Sequence, residues 1–300
     1  MSLRLKAPAK LNLRLKVCGV RQDGYHELNM INVTLDLHDE IILSPQLQGA
    51  VSLHLDLQET LSDASLADPE KNLAARAASQ FLREFGFKTG IDIHLRKRIP
   101  SRAGLGGGSS DAAAVLNGLL MLFSKELAEV YDLSDRVLSI ALRLGADVPY
   151  FLQGGLCLVR GIGEMVSAMD GSALNGTPCA LLLPESGCDT SSVYRSWDEL
   201  AREGKVMAGL DPYRPALRPG VEDLPAMVEN DLLAAAARVE PDVDRVFKLL
   251  KETRPLTVSM SGSGSCVFAL PVPGAACWRQ KLADLAAEQG WRFIESALVC

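Results

Sequence analysis

Leu11, Leu13, Leu15 and Val17 alternate with Asn12, Arg14 and Lys16. That period of two predicts a strand with one face buried and one face wet. Further strands are expected over 31–37, 41–44 and 51–57, where Leu53, Leu55 and Leu57 oppose Ser52, His54 and Asp56. The pattern then lengthens. Leu73, Ala77, Phe81 and Leu82 share one face of a predicted helix over 72–85. A strand at 91–95 leads through a glycine-rich stretch into a helix ending near 123, and another helix is expected over about 134–144, before Gly145. In the second half, strands are expected at 156–160, 179–183, 256–260, 266–270 and 292–298, and helices at 231–237, 243–251 and 275–288. The stretch 204–223, rich in proline and glycine, reads as a loop excursion. Grouped rather than strictly alternating, these elements predict two α+β layers instead of a regular parallel sheet.

The stretch Pro100-Ser101-Arg102-Ala103-Gly104-Leu105-Gly106-Gly107-Gly108-Ser109-Ser110 is the most informative part of the chain. It lies where a strand hands over to a helix N-terminus. Unpaired amides and the positive end of the helix dipole meet there, and glycine lets the backbone come close to a bulky anion. The expected ligand is phosphate. A Walker loop is excluded, because the Gly-Lys pair at 204–205 is followed by Val206. A dinucleotide fingerprint is excluded too, since Ser109 stands where its third glycine belongs. The plainer alternative is a flexible turn of small residues.

With 300 residues, 48% hydrophobic and 23% charged, the chain has room for two globular domains. The net charge of −6 argues against general nucleic-acid binding. It leaves room for a local basic patch, for which Arg96, Lys97, Arg98 and Arg102 are candidates, unless they form a solvated strand end. The seven cysteines include no C-x-x-C pair, and there are four histidines, which argues against a zinc site or a disulfide framework. The thiols read as small buried groups in a reducing compartment. With no signal-like or membrane-length apolar run, the expectation is a soluble cytoplasmic protein.

Other candidates carry simple alternatives. Lys10 and Asn12 point the same way from the first strand; they could hold an anion or a hydroxyl, or form the solvent-facing side of an edge strand. Tyr25 and His26, after Gly24, could stack on and hydrogen-bond a heterocyclic base, or be ordinary packing. Asp147 lies where a helix end runs into a Pro-fixed turn, positioned for catalysis or merely for capping. Ser261-Gly262-Ser263-Gly264-Ser265 is a tight hairpin or a second ligand-contacting loop.

Taken in order, Ala7-Pro8-Ala9-Lys10-Leu11-Asn12-Leu13, Gly24-Tyr25-His26-Glu27-Leu28, the 100–111 stretch, Gly145-Ala146-Asp147-Val148-Pro149-Tyr150-Phe151 and the 261–268 segment resemble the GHMP small-molecule kinases; Asn230-Asp231-Leu232 is a weaker match. The Gly-Tyr-His and Gly-Ala-Asp-Val-Pro segments resemble the branch that phosphorylates the 2-hydroxyl of diphosphocytidyl-methylerythritol. Ser263 departs from the threonine common there but keeps a hydroxyl, and Asp111 stands where some relatives carry asparagine, its acidity suiting a helix first turn. The resemblance implies a ribosomal-protein-S5-like N-terminal domain over 1–155 and a ferredoxin-like C-terminal domain over 156–300, with ATP and substrate meeting in the cleft between them. It implies ATP and Mg²⁺, with residues 100–110 around the triphosphate and a hydroxyl of Ser109 or Ser110 offered to the metal, whose other ligands are unknown. It implies Asp147 as general base, Lys10 as charge partner, Asn12 positioning the substrate, and Tyr25 and His26 holding the cytosine. The expected partner is a small-molecule substrate, with no nucleic acid or membrane, and the protein a monomer or weak homodimer. Another GHMP kinase acting on homoserine, mevalonate or a sugar, or a non-catalytic ligand-binding protein of this fold, would share much of the pattern.

Overall fold

The computed structural model describes residues 2–57, 68–253, 256–275 and 277–300. The chain makes two compact units that interleave in sequence. The first takes Met1–Ala9, Leu37–Pro100 and Gly106–Gln153; the second takes Lys10–Asp36, Ser101–Leu105 and Gly154–Cys300. Two long strands, β1 (Leu3–Val20) and β2 (His26–Gln46), each contribute to both.

In the first unit, β3 (Val51–Leu57) runs parallel to β4 (Gly90–Lys97), with Ser52 opposite Asp92 and His54 opposite His94. β4 pairs antiparallel with the second half of β2, from Glu40 opposite Arg96 to Gln46 opposite Gly90. Ile91, Ile93 and Leu95 point inward, while Asp92, His94 and Arg96 take the other face. Among the described residues this unit also holds α1 (Leu73–Phe85), between β3 and β4, and after β4 α2 (Gly107–Leu122), α3 (Leu133–Leu144) and α4 (Val148–Gln153). Helix α1 starts where the Asn72 carboxamide accepts the Ala74 N–H at 2.9 Å, and stops at Gly86 in the left-handed region. Helix α2 lies close on the sheet, since a Cβ on Gly118 would come within 2.5 Å of Leu5 Cδ1 and 2.7 Å of Leu43 Cδ1. Phe81, Phe85, Phe87 and Phe123 form an aromatic cluster among the helices, with Phe87 and Phe123 centroids 4.3 Å apart.

In the second unit, β5 (Cys157–Gly161) pairs antiparallel with the first half of β2 and with β6 (Met165–Ala168). A second antiparallel group has the order β9 (Leu256–Met260), β10 (Val267–Pro271), β7 (Pro178–Leu183), β11 (Arg292–Val299). Around them lie α5 (Thr190–Arg202), α6 (Leu224–Met227), the short strand β8 (Glu229–Asn230), α7 (Leu233–Val239), α8 (Pro241–Glu252) and α9 (Trp278–Gln289).

Several expectations need correcting. The two strands expected at 31–37 and 41–44 are one, His26–Gln46, and the acidic residues between them are satisfied in place. Asp36 accepts the Ala297 N–H at 2.9 Å, and buried Asp39 accepts the Ile99 N–H at 2.9 Å. The face of β1 carrying Lys10, Asn12 and Arg14 is buried, not wet. Arg14 reaches Asp211 with Nε and Nη2, each at 2.7 Å, so its burial is compensated by a fork-to-carboxylate pair. Helix α5 lies where the pattern above places no element, although the Asp189 cap and the spacing of Val193, Trp197 and Leu200 mark it. The helix expected at 275–288 begins at Trp278, and residue 276 lies outside the described residues. Cys157, Cys179, Cys188 and Cys266 are buried, but Cys277 and Cys300 are exposed. Among the described residues no helix is long and apolar enough to cross a membrane.

Candidate active site

The glycine-rich stretch divides into two parts with different surroundings. Its first part, Ser101–Leu105, belongs to the second unit and packs on the hairpin between β9 and β10. The Cys266 N–H donates to Ala103 O at 3.2 Å, and the Ser261 hydroxyl donates to Gly104 O at 2.9 Å. A Cβ on Gly104 would lie 2.0 Å from Ser261 O, and its φ is +73°. Glycine is required there because two backbones touch, not because a phosphate needs room. The hairpin is itself held by Asn230, whose amide donates to Met260 O at 2.7 Å and Gly262 O at 2.9 Å. Ser261, Ser263 and Ser265 are all buried.

The second part, from Gly106 on, belongs to the first unit and starts α2. Gly106 is the N-cap with φ 72° and has no side chain to cap with. The first i→i−4 bond is from Ser110 N to Gly106 O at 2.9 Å, so the N–H groups of Gly107, Gly108 and Ser109 have no partner within the helix. The Ser110 hydroxyl is buried and meets no hydrogen-bond partner. A Cβ on exposed Gly108 would meet only Leu73 Cδ1, at 3.5 Å. At Gly107 it would press on Ile99 Cγ2 at 3.1 Å and Lys97 Nζ at 3.3 Å, so packing dictates that glycine as well.

Lys97 corrects the basic-patch expectation. It is buried, and it donates to Asp39 and, at 2.7 Å, to Asp111. Burial works to lower its pKa, but the two carboxylates outweigh that and raise it. Burial pushes the Asp111 carboxyl up to about 8, against the pull of Lys97. Asp111 Oδ1 is buried and has no hydrogen-bond partner. Asp111 is therefore part of a buried cluster, not an exposed first-turn charge. Arg96 pairs with Asp56 at 3.4 Å and Arg98 with Glu40 at 2.6 Å, so much of the patch is neutralised, while Arg102 is exposed with φ 55°.

In the second unit, Lys10 Nζ donates to the Asn12 carboxamide oxygen, and Asn12 Nδ2 donates to Asn32 Oδ1 at 2.6 Å. All three are buried. The Asn12 N–H reaches the Ser261 hydroxyl at 3.3 Å, and the Lys10 N–H reaches Leu105 O at 3.0 Å. Asn32 carries no local signal in the sequence; its amide nitrogen is buried without a hydrogen-bond partner. Tyr25 is 61% exposed just after the bend at 22–24, so it is not part of the buried core. His26 lies 4.7 Å from the Tyr194 ring and edge-on to Trp197, and its Nε2 is 2.8 Å from Asp198 Oδ1. Those three partners come from α5 and were also missed. Asp147, half-buried in the first unit, directly precedes α4, with Pro149 inside that helix and not in a turn after α3.

A helix-initiating glycine loop, a buried lysine–amide row and a clasped histidine are parts suited to a small-molecule kinase. Two family descriptions match, GHMP kinases N terminal domain over residues 72–155 and GHMP kinases C terminal over 215–289. The chain belongs to the GHMP kinase family. It is 38% identical to the 4-diphosphocytidyl-2-C-methyl-D-erythritol kinase of Deinococcus radiodurans, covering 95% of this chain and 89% of that one. It is 36% identical to the enzyme of the same name from Delftia acidovorans, over 88% of this chain and 84% of the relative. A crystal structure of 4-(cytidine 5'-diphospho)-2C-methyl-D-erythritol kinase matches with a TM-score of 0.68 at 32% identity, covering 99% of this chain and 100% of that one. Homoserine kinase from Cytophaga hutchinsonii shares the fold, with a TM-score of 0.71 at 21% identity over 99% of this chain and 95% of that one.

Proposed function

We propose that the protein transfers the γ-phosphate of ATP to the 2-hydroxyl of 4-diphosphocytidyl-2-C-methyl-D-erythritol, a step of the non-mevalonate route to isoprenoid precursors. Likeness to kinases of that name along nearly the whole chain carries the reading. The same reading makes the enzyme cytoplasmic and its family domains residues 1–155 and 156–300.

Phosphoryl transfer asks a protein mainly to position groups and offset charge. The 100–110 stretch would hold the triphosphate, chiefly through the amides of Gly107, Gly108 and Ser109 at the positive end of α2. The partnerless Ser110 hydroxyl fits an oxygen ligand for Mg²⁺, with Ser109 beside it. When bound, Mg²⁺ would neutralise phosphate charge. Asp147 would take the hydroxyl proton as general base, and Lys10 would offset charge at the reacting oxygen. Asn12 and Asn32 would fix the acceptor's hydroxyls. Tyr25 would stack on the cytosine. With Nε2–H donated to Asp198, His26 would present Nδ1 to the base as an acceptor.

The test is a coupled ADP-release assay with diphosphocytidyl-methylerythritol, mevalonate and homoserine as acceptors. Turnover of the first alone is expected. Preference for either of the others would overturn the substrate assignment. Asp147→Asn should lower kcat by roughly 10²–10⁴-fold with little change in ATP KM. A matching loss of ATP affinity would make Asp147 a nucleotide ligand instead.

A further inference from the structure

The parallel register of β3 and β4 creates a grouping that no sequence spacing shows. His54 stands opposite His94, and Ser52 opposite Asp92, with all four side chains on one face of the sheet. The two imidazoles stack with centroids 4.5 Å apart and planes 18° from parallel. Both aim Nε2 at one carboxylate: His54 lies 2.9 Å from Asp92 Oδ1, and His94 lies 2.9 Å from Oδ2. One ligand atom from each residue lies within 4.8 Å of the others.

We propose that His54, Asp92 and His94 form a binding site for a divalent transition-metal ion of the zinc class. Two imidazole nitrogens and one carboxylate oxygen are a donor set such an ion accepts, and three protein ligands leave positions open. Ligation at about 2.0–2.1 Å would place the donor atoms about 3.4 Å apart. The rings are roughly half exposed, with side-chain exposures of 59% and 54%, so small rotations achieve this without disturbing the core. Ser52 supplies a supporting contact, donating to Asp92 Oδ1 at 2.5 Å. That hydrogen bond fixes the orientation of the carboxylate, as an outer-shell contact to a ligating group does. The two histidines also line a cavity of about 590 Å³, whose wall carries both Arg4 and Lys6 and the acidic Glu40 and Asp56. The sequence argues against zinc because it has no C-x-x-C pair and only four histidines; this site uses no cysteine and two of those histidines.

The probe is Co²⁺, titrated into the full-length protein and followed by visible absorption, with Zn²⁺ competition. Saturation at one ion per chain is expected, with the d–d bands of nitrogen and oxygen ligation and no thiolate charge-transfer band. His54→Gln, His94→Gln and Asp92→Asn should each weaken binding by more than about tenfold, and Ser52→Ala by about tenfold. Each variant should keep the thermal midpoint of the metal-free protein and its kinase activity. Failure to saturate, a thiolate band, or unchanged affinity in both histidine variants would overturn the site.

Discussion

Two stretches of glycine and serine, 104–110 and 261–265, look alike as sequence and differ in what they leave unsatisfied. In the hairpin, Ser261 donates to Gly104 O, Ser263 meets the Thr190 hydroxyl at 2.9 Å, and Asn230 clamps two carbonyls. At the start of α2, the Ser110 hydroxyl is buried with no partner, and three amides precede the first helical bond. Composition suggests flexibility in both. The difference lies in the unspent polar groups, and only those at the helix support the phosphate site proposed above.

The comparison can be broken most sharply at Gly104. Gly104→Ala forces a Cβ to 2.0 Å from Ser261 O at a left-handed backbone position, so a loss of about 4 kcal/mol is expected in urea unfolding. A near-neutral result would mean that the two loops do not depend on each other. The helix side is distinguished by its buried charges. Folded Asp111 keeps its proton up to about 8, whereas unfolded it releases it near 3.8, so the native state binds more protons in between and loses stability as pH rises. The slope approaches ~1.4 kcal/mol per pH unit, and Asp111→Asn should flatten it between pH 5 and 7. An unchanged slope would place the titration elsewhere. Asn230→Ala removes two bonds to hairpin carbonyls and should cost about 2 kcal/mol, with no such pH signature. Smallest in energy, Ser110→Ala should leave the melting temperature unchanged while lowering kcat/KM for ATP about tenfold, or ~1.4 kcal/mol. Unchanged kinetics would take that hydroxyl out of the nucleotide site.

Much of this was legible from local pattern. The amphipathic spacing around Phe81 gave α1 nearly to its ends, and the strand–glycine–helix passage located the start of α2. Burial was harder. Alternation along β1 cannot distinguish a wet polar face from a buried one whose partners are distant in sequence, as Asn32 and Asp211 are from Asn12 and Arg14. Lys97 read as surface charge because its compensating carboxylates, Asp39 and Asp111, come from two other elements. Asn32 and Asp198 carried no local signal; only the fold brings Asn32 to Asn12 and Asp198 to His26. The passage 184–203 did hold a readable helix, and its aspartate cap was the missed clue.

The order in which the backbone visits its two compact units has a practical outcome for dissection and for inheritance. It passes from one to the other five times, at 9/10, 36/37, 100/101, 105/106 and 153/154. No single cut liberates either unit intact. A chimera joined at 153/154 would still draw 10–36 and 101–105 of its C-terminal unit from the other parent, along with Lys10, His26 and Gly104. Exchange of one contiguous segment would therefore separate residues that share a unit.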